Sequence, residues 1–275
     1  MHGCFYTMKN HFMLETEHVD VIIFKILLHC KFTLMESGHS EAEMLVESLN
    51  DPETLTAYKT PLDNYRPALL PRFLGWFLVT CGNLVYGRKP SYQKFRAVEV
   101  IARVPYQSWA SATYTLLTLF YGDEKRALKL STISRFSRFA SDNETMHVVV
   151  ISALAKQYEK AGVIRHTLIP MLFAFFYFWM SYVMYLFNPR WSLETNYLFE
   201  SHAFEQYSLF LEQCGDELKK RPIESEFLTW YGRHPRSQYE FFMSVRNDEL
   251  IHRNRSIHEI DIHQRHGRMP TVEED

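Results

Sequence analysis

Glutamate and histidine placed three residues apart on a helix are separated by a turn less about 60°, so the carboxylate and the imidazole point the same way. Such a pair offers one oxygen and one nitrogen ligand, a combination suited to iron or manganese. The chain contains four Glu-x-x-His matches: Glu15–His18, Glu36–His39, Glu144–His147 and Glu249–His252. With 23 Glu and 13 His in 275 residues, about one match arises by chance. The frame around each match therefore decides.

Glu36-Ser37-Gly38-His39 contains glycine, a poor helix former, and neither early match sits in a long apolar helical frame, so both are read as decoys. Glu144 and His147 lead directly into Val148-Val149-Val150-Ile151, as an inward-facing site would. Glu249 and His252 fall among Phe241, Phe242, Val245 and Leu250, on a helix expected over about 237–260. Two further acids stand alone on apolar stripes. Glu99, within Ala97-Val98-Glu99-Val100-Ile101-Ala102, must be paired with Arg96 or Arg103 or bound to a cation if buried, because an isolated buried carboxylate is very costly. Glu200 shares a face with Ala203, Phe204 and Tyr207 at i, i+3, i+4, i+7, which turns Glu205 and Glu212 toward solvent. The four acids lie 45, 56 and 49 residues apart, each gap long enough for a helix and its return. Two Glu-x-x-His helices plus two helices giving one Glu each form the ligand set of ferritin-like di-iron carboxylate bundles. The expected fold is all-α: a ferritin-like four-helix bundle with a di-iron site, plus two membrane-facing helices.

The helices that must position these residues are legible in turn. Residues 1–60 read as a leader whose second half, 36–56, is acidic and helical. The run Val19–Cys30 is apolar but interrupted by Lys25, and is open between an ordinary element and a poor signal-like segment. Pro67–Tyr86 is apolar, bears Trp76 and is closed by Gly87-Arg88-Lys89-Pro90, which suits an interfacial helix or, alternatively, a buried core helix. A long helix is expected from Ala97 to about Tyr121, and another from Glu124 to Lys160, broken near Ser137–Ser141 and closed by Gly162. Leu168–Phe187 runs twenty residues without a formal charge and meets the length of a membrane span. Its tyrosines, Pro170 and flanking Arg165, His166 and Arg190 favour a helix lying in the membrane plane, and it occupies the place of the long crossover in such bundles. The next helix is expected from Trp191 to Lys219, followed by a loose stretch to Arg236. The catalytic domain is expected over 61–262, with a frayed tail over 263–275.

Composition narrows the classes. A net charge of −2 excludes a nucleic-acid reading. Aromatics reach 15% against only 10 Gly, which argues for helices and a membrane interface. Cys4, Cys30, Cys81 and Cys214 are scattered, which reads as reduced thiols in a non-secreted protein. The absence of Arg before Arg66 and the presence of Glu15, Glu17 and Asp20 argue against a mitochondrial presequence. No phosphate loop, serine-nucleophile motif or heptad array occurs.

From about Tyr92 to Ile260 the chain resembles the alternative oxidase family, and its plastid terminal oxidase branch more than the mitochondrial one. The residues that carry this are Arg96–Tyr106 with Glu99 and Ile101-Ala102-Arg103-Val104-Pro105-Tyr106; Asn143-Glu144-x-Met146-His147; Glu200-Ser201-His202-Ala203-Phe204-Glu205-x-Tyr207; and Arg246-x-Asp248-Glu249-x-x-His252. The resemblance implies a di-iron quinol oxidase that passes electrons from ubiquinol or plastoquinol to dioxygen, giving water without proton pumping. It implies an interfacial, non-spanning membrane protein, commonly a homodimer. It places two iron ions on Glu99, Glu144, His147, Glu200, Glu249 and His252, makes Tyr207 a redox or proton-transfer group, and casts Asn143 and Asp248 as partners that orient the ligands. A buried Tyr207 hydrogen-bonded to a ligand carboxylate is compatible with that role. An apolar channel for the quinol is expected between the membrane-facing helices and the metals. Thr145 departs from the arginine common in mitochondrial members, and Lys94 and Arg96 stand in for the arginine usually ahead of the first glutamate. The competing readings are a di-iron hydroxylase acting on a quinone precursor or lipid, and a degenerate ferritin-like metal-binding membrane protein.

Overall fold

Local signals set the helix boundaries. In the computed structural model, which describes residues 41–264, every regular element is helical. The early matches Glu15–His18 and Glu36–His39, Cys4, Cys30, the run Val19–Cys30 and the end of the tail fall outside the described residues. The chain divides into two compact units, Met1–Ser48 and Leu49–Asp275. In the first, residues 41–48 are helical (α1).

The second unit is an all-α helical bundle. Its elements are α2 (Pro52–Asp63), α3 (Leu69–Tyr86), α4 (Tyr92–Ala102), α5 (Val104–Phe120), α6 (Glu124–Tyr158), a π turn (Ile164–Leu168), α7 (Ile169–Phe187), α8 (Pro189–Leu218), α9 (Glu226–Tyr231) and α10 (Gln238–Gln264). Ser91 caps α4 by accepting from the Lys94 amide at 3.2 Å, and Asp123 caps α6 by accepting from Arg126 at 3.1 Å. Pro189 sits in the first turn of α8, where a missing N–H costs nothing.

Three expectations are corrected. The helix foreseen from Ala97 to Tyr121 is split at Arg103, because Pro105 has no N–H for the Ile101 carbonyl and its ring clashes there. The helix foreseen to break near Ser137–Ser141 runs unbroken over 35 residues and ends at Tyr158 rather than Gly162. Its serines are small enough to pack, and Ser137 is buried. The stretch read as loose before Arg236 holds α9, capped by the Ser225 side chain and ended by Gly232 at φ 92°, a left-handed backbone that favours glycine.

The bundle pairs α4 and α5 with α6, and α8 with α10. Glu159, just past α6, accepts from the first amides of α4, Tyr92 and Gln93 (3.3 and 2.9 Å), so α4 and α6 run antiparallel. The Gln238 amide donates to Arg221 O at 3.0 Å, which closes α8 and α10 into a second antiparallel pair. Two aromatic cores fill the interior. One gathers Phe95, Met146, Tyr207 and Phe242, the other Tyr106, Trp109, Phe136 and Tyr185. The helices α3 and α7 lie outside, packed on α8 and on α4 and α5 respectively. A Cβ at Gly75 would meet Leu198 Cδ1 at 3.0 Å, so α3 approaches α8 through that glycine. Otherwise α3 buries only Pro71, which removes the core-helix alternative for Pro67–Tyr86.

Candidate metal centre

The four acidic positions converge where the two aromatic cores meet. Glu99 comes from α4, Glu144 and His147 from α6, Glu200 from α8, and Glu249 and His252 from α10; all six are buried. Their ligating atoms fall into two groups, Glu99, Glu144, His147 and Glu249 in one and Glu144, Glu200, Glu249 and His252 in the other. Within each group the atoms lie within 4.8 Å of one another, a spacing that can hold a metal ion. Glu144 and Glu249 belong to both.

Hydrogen bonding separates the shared carboxylates from the others. Glu99 Oε1 accepts from the Tyr207 hydroxyl, and Glu200 Oε1 accepts from Tyr106 at 2.7 Å. Each of these acids keeps one oxygen, Oε2, without a hydrogen bond. Glu144 and Glu249 have no hydrogen bond to either oxygen. The two shared acids thus offer both oxygens, and the two end acids offer one each.

The imidazoles are aimed in the same way. His147 Nδ1 lies 3.4 Å from Glu99 Oε2, 3.4 Å from Glu249 Oε1 and 3.6 Å from Glu144 Oε2. His252 Nδ1 lies 2.9 Å from Glu144 Oε1. Neither nitrogen makes a hydrogen bond despite these distances. Each nitrogen thus faces the carboxylate oxygens of its own group, the arrangement that two metal ions would require. The far nitrogen of His147, Nε2, is 2.9 Å from Asp248 Oδ2. Burial alone would raise the Asp248 carboxyl, but the Arg233 guanidinium and His147 hold it well below the usual carboxylate range. Asp248 is therefore an acceptor for a proton on Nε2, which leaves Nδ1 as the nitrogen that a metal ion could take.

Four carboxylates in one enclosure repel one another. Burial pushes the Glu99 carboxyl up to about 7, with the Glu144 charge adding to it. Burial and the Glu144, Glu200 and Glu99 charges raise Glu249 well above its ordinary range, and burial raises Glu200. Burial would raise Glu144 too, yet the imidazoles of His147 and His252 pull it down to about 2. Burial acts to lower both histidines, but Glu144 and its neighbours win and raise them. With all four carboxylates ionised and both imidazoles neutral, the state in which they can act as ligands, the six side chains carry a charge that two divalent cations would cancel. The orphaned oxygens, the aimed nitrogens and this charge all fit a pair of metal ions.

Asn143 was expected to orient a ligand. Its amide instead donates to the Tyr231 hydroxyl of α9 at 2.9 Å. Neither Arg96 nor Arg103 pairs with Glu99; Tyr207 and His147 take that place. Residue-by-residue reading missed the supports contributed by Tyr106, Asn196 and Arg233. Asn196 precedes Glu200 by four residues, and a helical-face count could have found it. Arg233 lies in the loop before α10, and no periodicity could have found it.

On one side of the centre, behind Tyr207, lies an apolar cleft between α3, α4, α7 and α8. Val79 and Val85, Phe95 and Val98, Phe173, Phe199 and Ala203 line it, and Tyr207 closes its inner end. Its polar lining comprises Asn83, His202, Gln206 and Lys94, the last nine-tenths or more buried, with its Nζ donating to Gln206 Oε1 (2.8 Å), Asn83 Oδ1 (3.1 Å) and Arg88 O (3.3 Å). Burial pushes the Lys94 ammonium below its ordinary pKa.

A family model described as alternative oxidase matches residues 76–260, a segment that contains all six converging residues and Tyr207. The chain is 28% identical over 188 residues to an Arabidopsis thaliana protein named ubiquinol oxidase 4, chloroplastic/chromoplastic; the match covers 60% of this chain and 50% of the relative. The chain thus spans about half the length of the curated relative it matches. No solved structure matches it.

Proposed function

The chain belongs to the alternative oxidase family, closer to its plastid terminal oxidase branch, and on that premise we propose that it is a quinol:oxygen oxidoreductase. In this reading two quinols, ubiquinol or plastoquinol, and one dioxygen give two quinones and two waters, with no proton pumped. The observation that carries it is the pair of overlapping carboxylate–imidazole groups with Tyr207 between them and the apolar cleft.

Glu99, Glu144 and His147, with Glu200, Glu249 and His252, would hold two iron ions. When bound, the iron pair supplies what no side chain provides, uptake of dioxygen and storage of electrons for it. The chain's own residues do the rest. The cleft takes the quinol with its isoprenoid tail toward α3 and α7, and its apolar walls exclude water. The polar triad of Lys94, Gln206 and Asn83 orients the quinol head group. Tyr207, donating to Glu99 at the cleft's inner end, is placed to take and pass a proton at Oη. Asp248 and Arg233 keep the His147 proton on Nε2.

The reading includes attachment to one membrane face without crossing it, and a homodimer. Both α3 and the segment Ile164–Phe187 are long and apolar enough to cross a membrane by length and composition. Each packs one side on the bundle and leaves an apolar stripe exposed along its length, flanked by Arg72, Arg88, Lys89, Arg165 and Arg190, which suits an interfacial helix. We assign the activity to residues 61–262, with 1–60 a leader and 263–275 a tail.

The test is oxygen consumption by purified protein in detergent with quinol, insensitive to cyanide, together with iron content. Quinone should appear without any oxygen atom from dioxygen in it. Incorporation of that atom into the organic product would replace this reading with a hydroxylase, and iron binding without turnover would replace it with a degenerate metal-binding protein.

A further inference from the structure

Both end acids of the centre are held by a tyrosine, but the two tyrosines live in different surroundings. Tyr207 stacks on Phe95 with ring centroids 4.1 Å apart and lines the cleft. Tyr106 is fully buried in the other aromatic core, its ring enclosed by Trp109, His252 and Phe136 at centroid distances of 5.2, 5.3 and 5.7 Å. It does not line the cleft, so whatever it does to the reaction it does through the side chains it touches.

Those side chains lead to one group of the centre. The Tyr106 hydroxyl donates to Glu200 Oε1 at 2.7 Å and accepts from Asn196 Nδ2 at 2.9 Å. Asn196 Nδ2 also donates to Ser256 Oγ at 3.1 Å, and the Ser256 hydroxyl donates to the His252 carbonyl at 2.8 Å. Asn196 is one helical turn before Glu200 on α8, and Ser256 one turn after His252 on α10. A single buried network therefore bears on both Glu200 and His252, the members of the second group that the first group lacks.

We infer that Tyr106 is a positioning residue: its hydroxyl occupies one oxygen of Glu200 and leaves the other for a single metal ion, and with Asn196 and Ser256 it fixes the half of the centre that contains Glu200 and His252. This rests on the metal reading above. A carboxylate with one oxygen engaged by an O–H donor has one orientation to offer. Without that donor it is free to turn, and outer partners of this kind are worth about 10–100-fold in metal affinity.

The experiment is titration of the full-length, metal-free protein in detergent with Mn²⁺, counting ions bound per chain. Wild type should take up two. Tyr106→Phe keeps the ring and removes the hydroxyl; it should bind one ion as wild type does and the other about 10–100-fold more weakly. Quinol KM should stay at the wild-type value while kcat falls. Should Tyr106→Phe fail to fold, Asn196→Ala carries the same test, with a smaller weakening of the same ion. Two ions bound at wild-type affinity in these variants, or equal weakening of both ions, would overturn the inference. A wild type that binds no ion would instead overturn the metal reading and this inference with it.

Discussion

Glu99, Glu144, Glu200 and Glu249 are ionisable side chains with almost no exposure, whereas Phe73, Trp76, Phe175 and Phe176 are large apolar side chains 58%, 62%, 58% and 67% exposed. The two regions lie on either side of one cleft and invert the usual sorting of residues in opposite senses. Burying a carboxylate costs several kcal/mol unless a partner neutralises it. Leaving a Phe or Trp in water forfeits about 1.5–3 kcal/mol each. Each region therefore asks for a partner outside the chain: cations inside and an apolar surface outside, which in the reading proposed above is the membrane face. A folding core would show neither.

The largest effect should come from a shared acid. Glu249→Ala removes a carboxylate from both groups at once, so iron content and cyanide-insensitive oxygen consumption should both fall to background. Retention of iron and activity by this variant, or by Glu144→Ala, would break the inner half of the comparison. The outer half is tested by Phe175→Glu with Trp179→Glu, one turn apart on the exposed side of α7. Losing two apolar anchors of about 1.5–3 kcal/mol each should weaken association with lipid vesicles by roughly a hundredfold to ten-thousandfold in a flotation assay. Unchanged flotation would mean that this stripe faces something other than lipid.

The unequal legibility of the two regions follows from the same contrast. Helical spacing is local, so the Glu144–His147 and Glu249–His252 faces, the Glu200–Tyr207 stripe and the two apolar segments could be read from short windows. What could not be read is pairing across the bundle. Arg233 reaches Asp248 from an irregular loop, and Tyr106 reaches Glu200 across 94 residues. Asn143 illustrates the limit: the family resemblance implied a ligand partner, but its amide donates to Tyr231 on α9, a helix hidden in a stretch that lacks periodicity. Pro105 did carry a local signal, and the split at Arg103 is the ordinary outcome of a proline inside a helical pattern.

Where the two regions touch, Tyr207 faces the cleft with its ring and the centre with its hydroxyl. Tyr207→Phe should keep iron content near wild type and lower kcat by about a hundredfold to ten-thousandfold, the range for a positioned proton-transfer group. An unchanged kcat would reduce Tyr207 to a packing residue.

The smallest effect is a proton count. In the unfolded chain Glu99 ionises near 4.5, and in the fold near 7. Its folded pKa is raised, so the stability gained from its neutral form is fully present below 4.5 and is lost as pH rises through about 7. A metal ion must displace that proton, so affinity should rise with pH by up to about tenfold per unit from this one group, and this contribution should level off above about 7. Glu144, held at about 2, has no proton to release in that range. Competition with a chelator between pH 6 and 8 measures the slope, and Glu99→Gln should lower it by one proton. A slope indifferent to pH would mean that Glu99 is ionised without metal, and that the repulsion among the four acids is relieved by something in the chain itself.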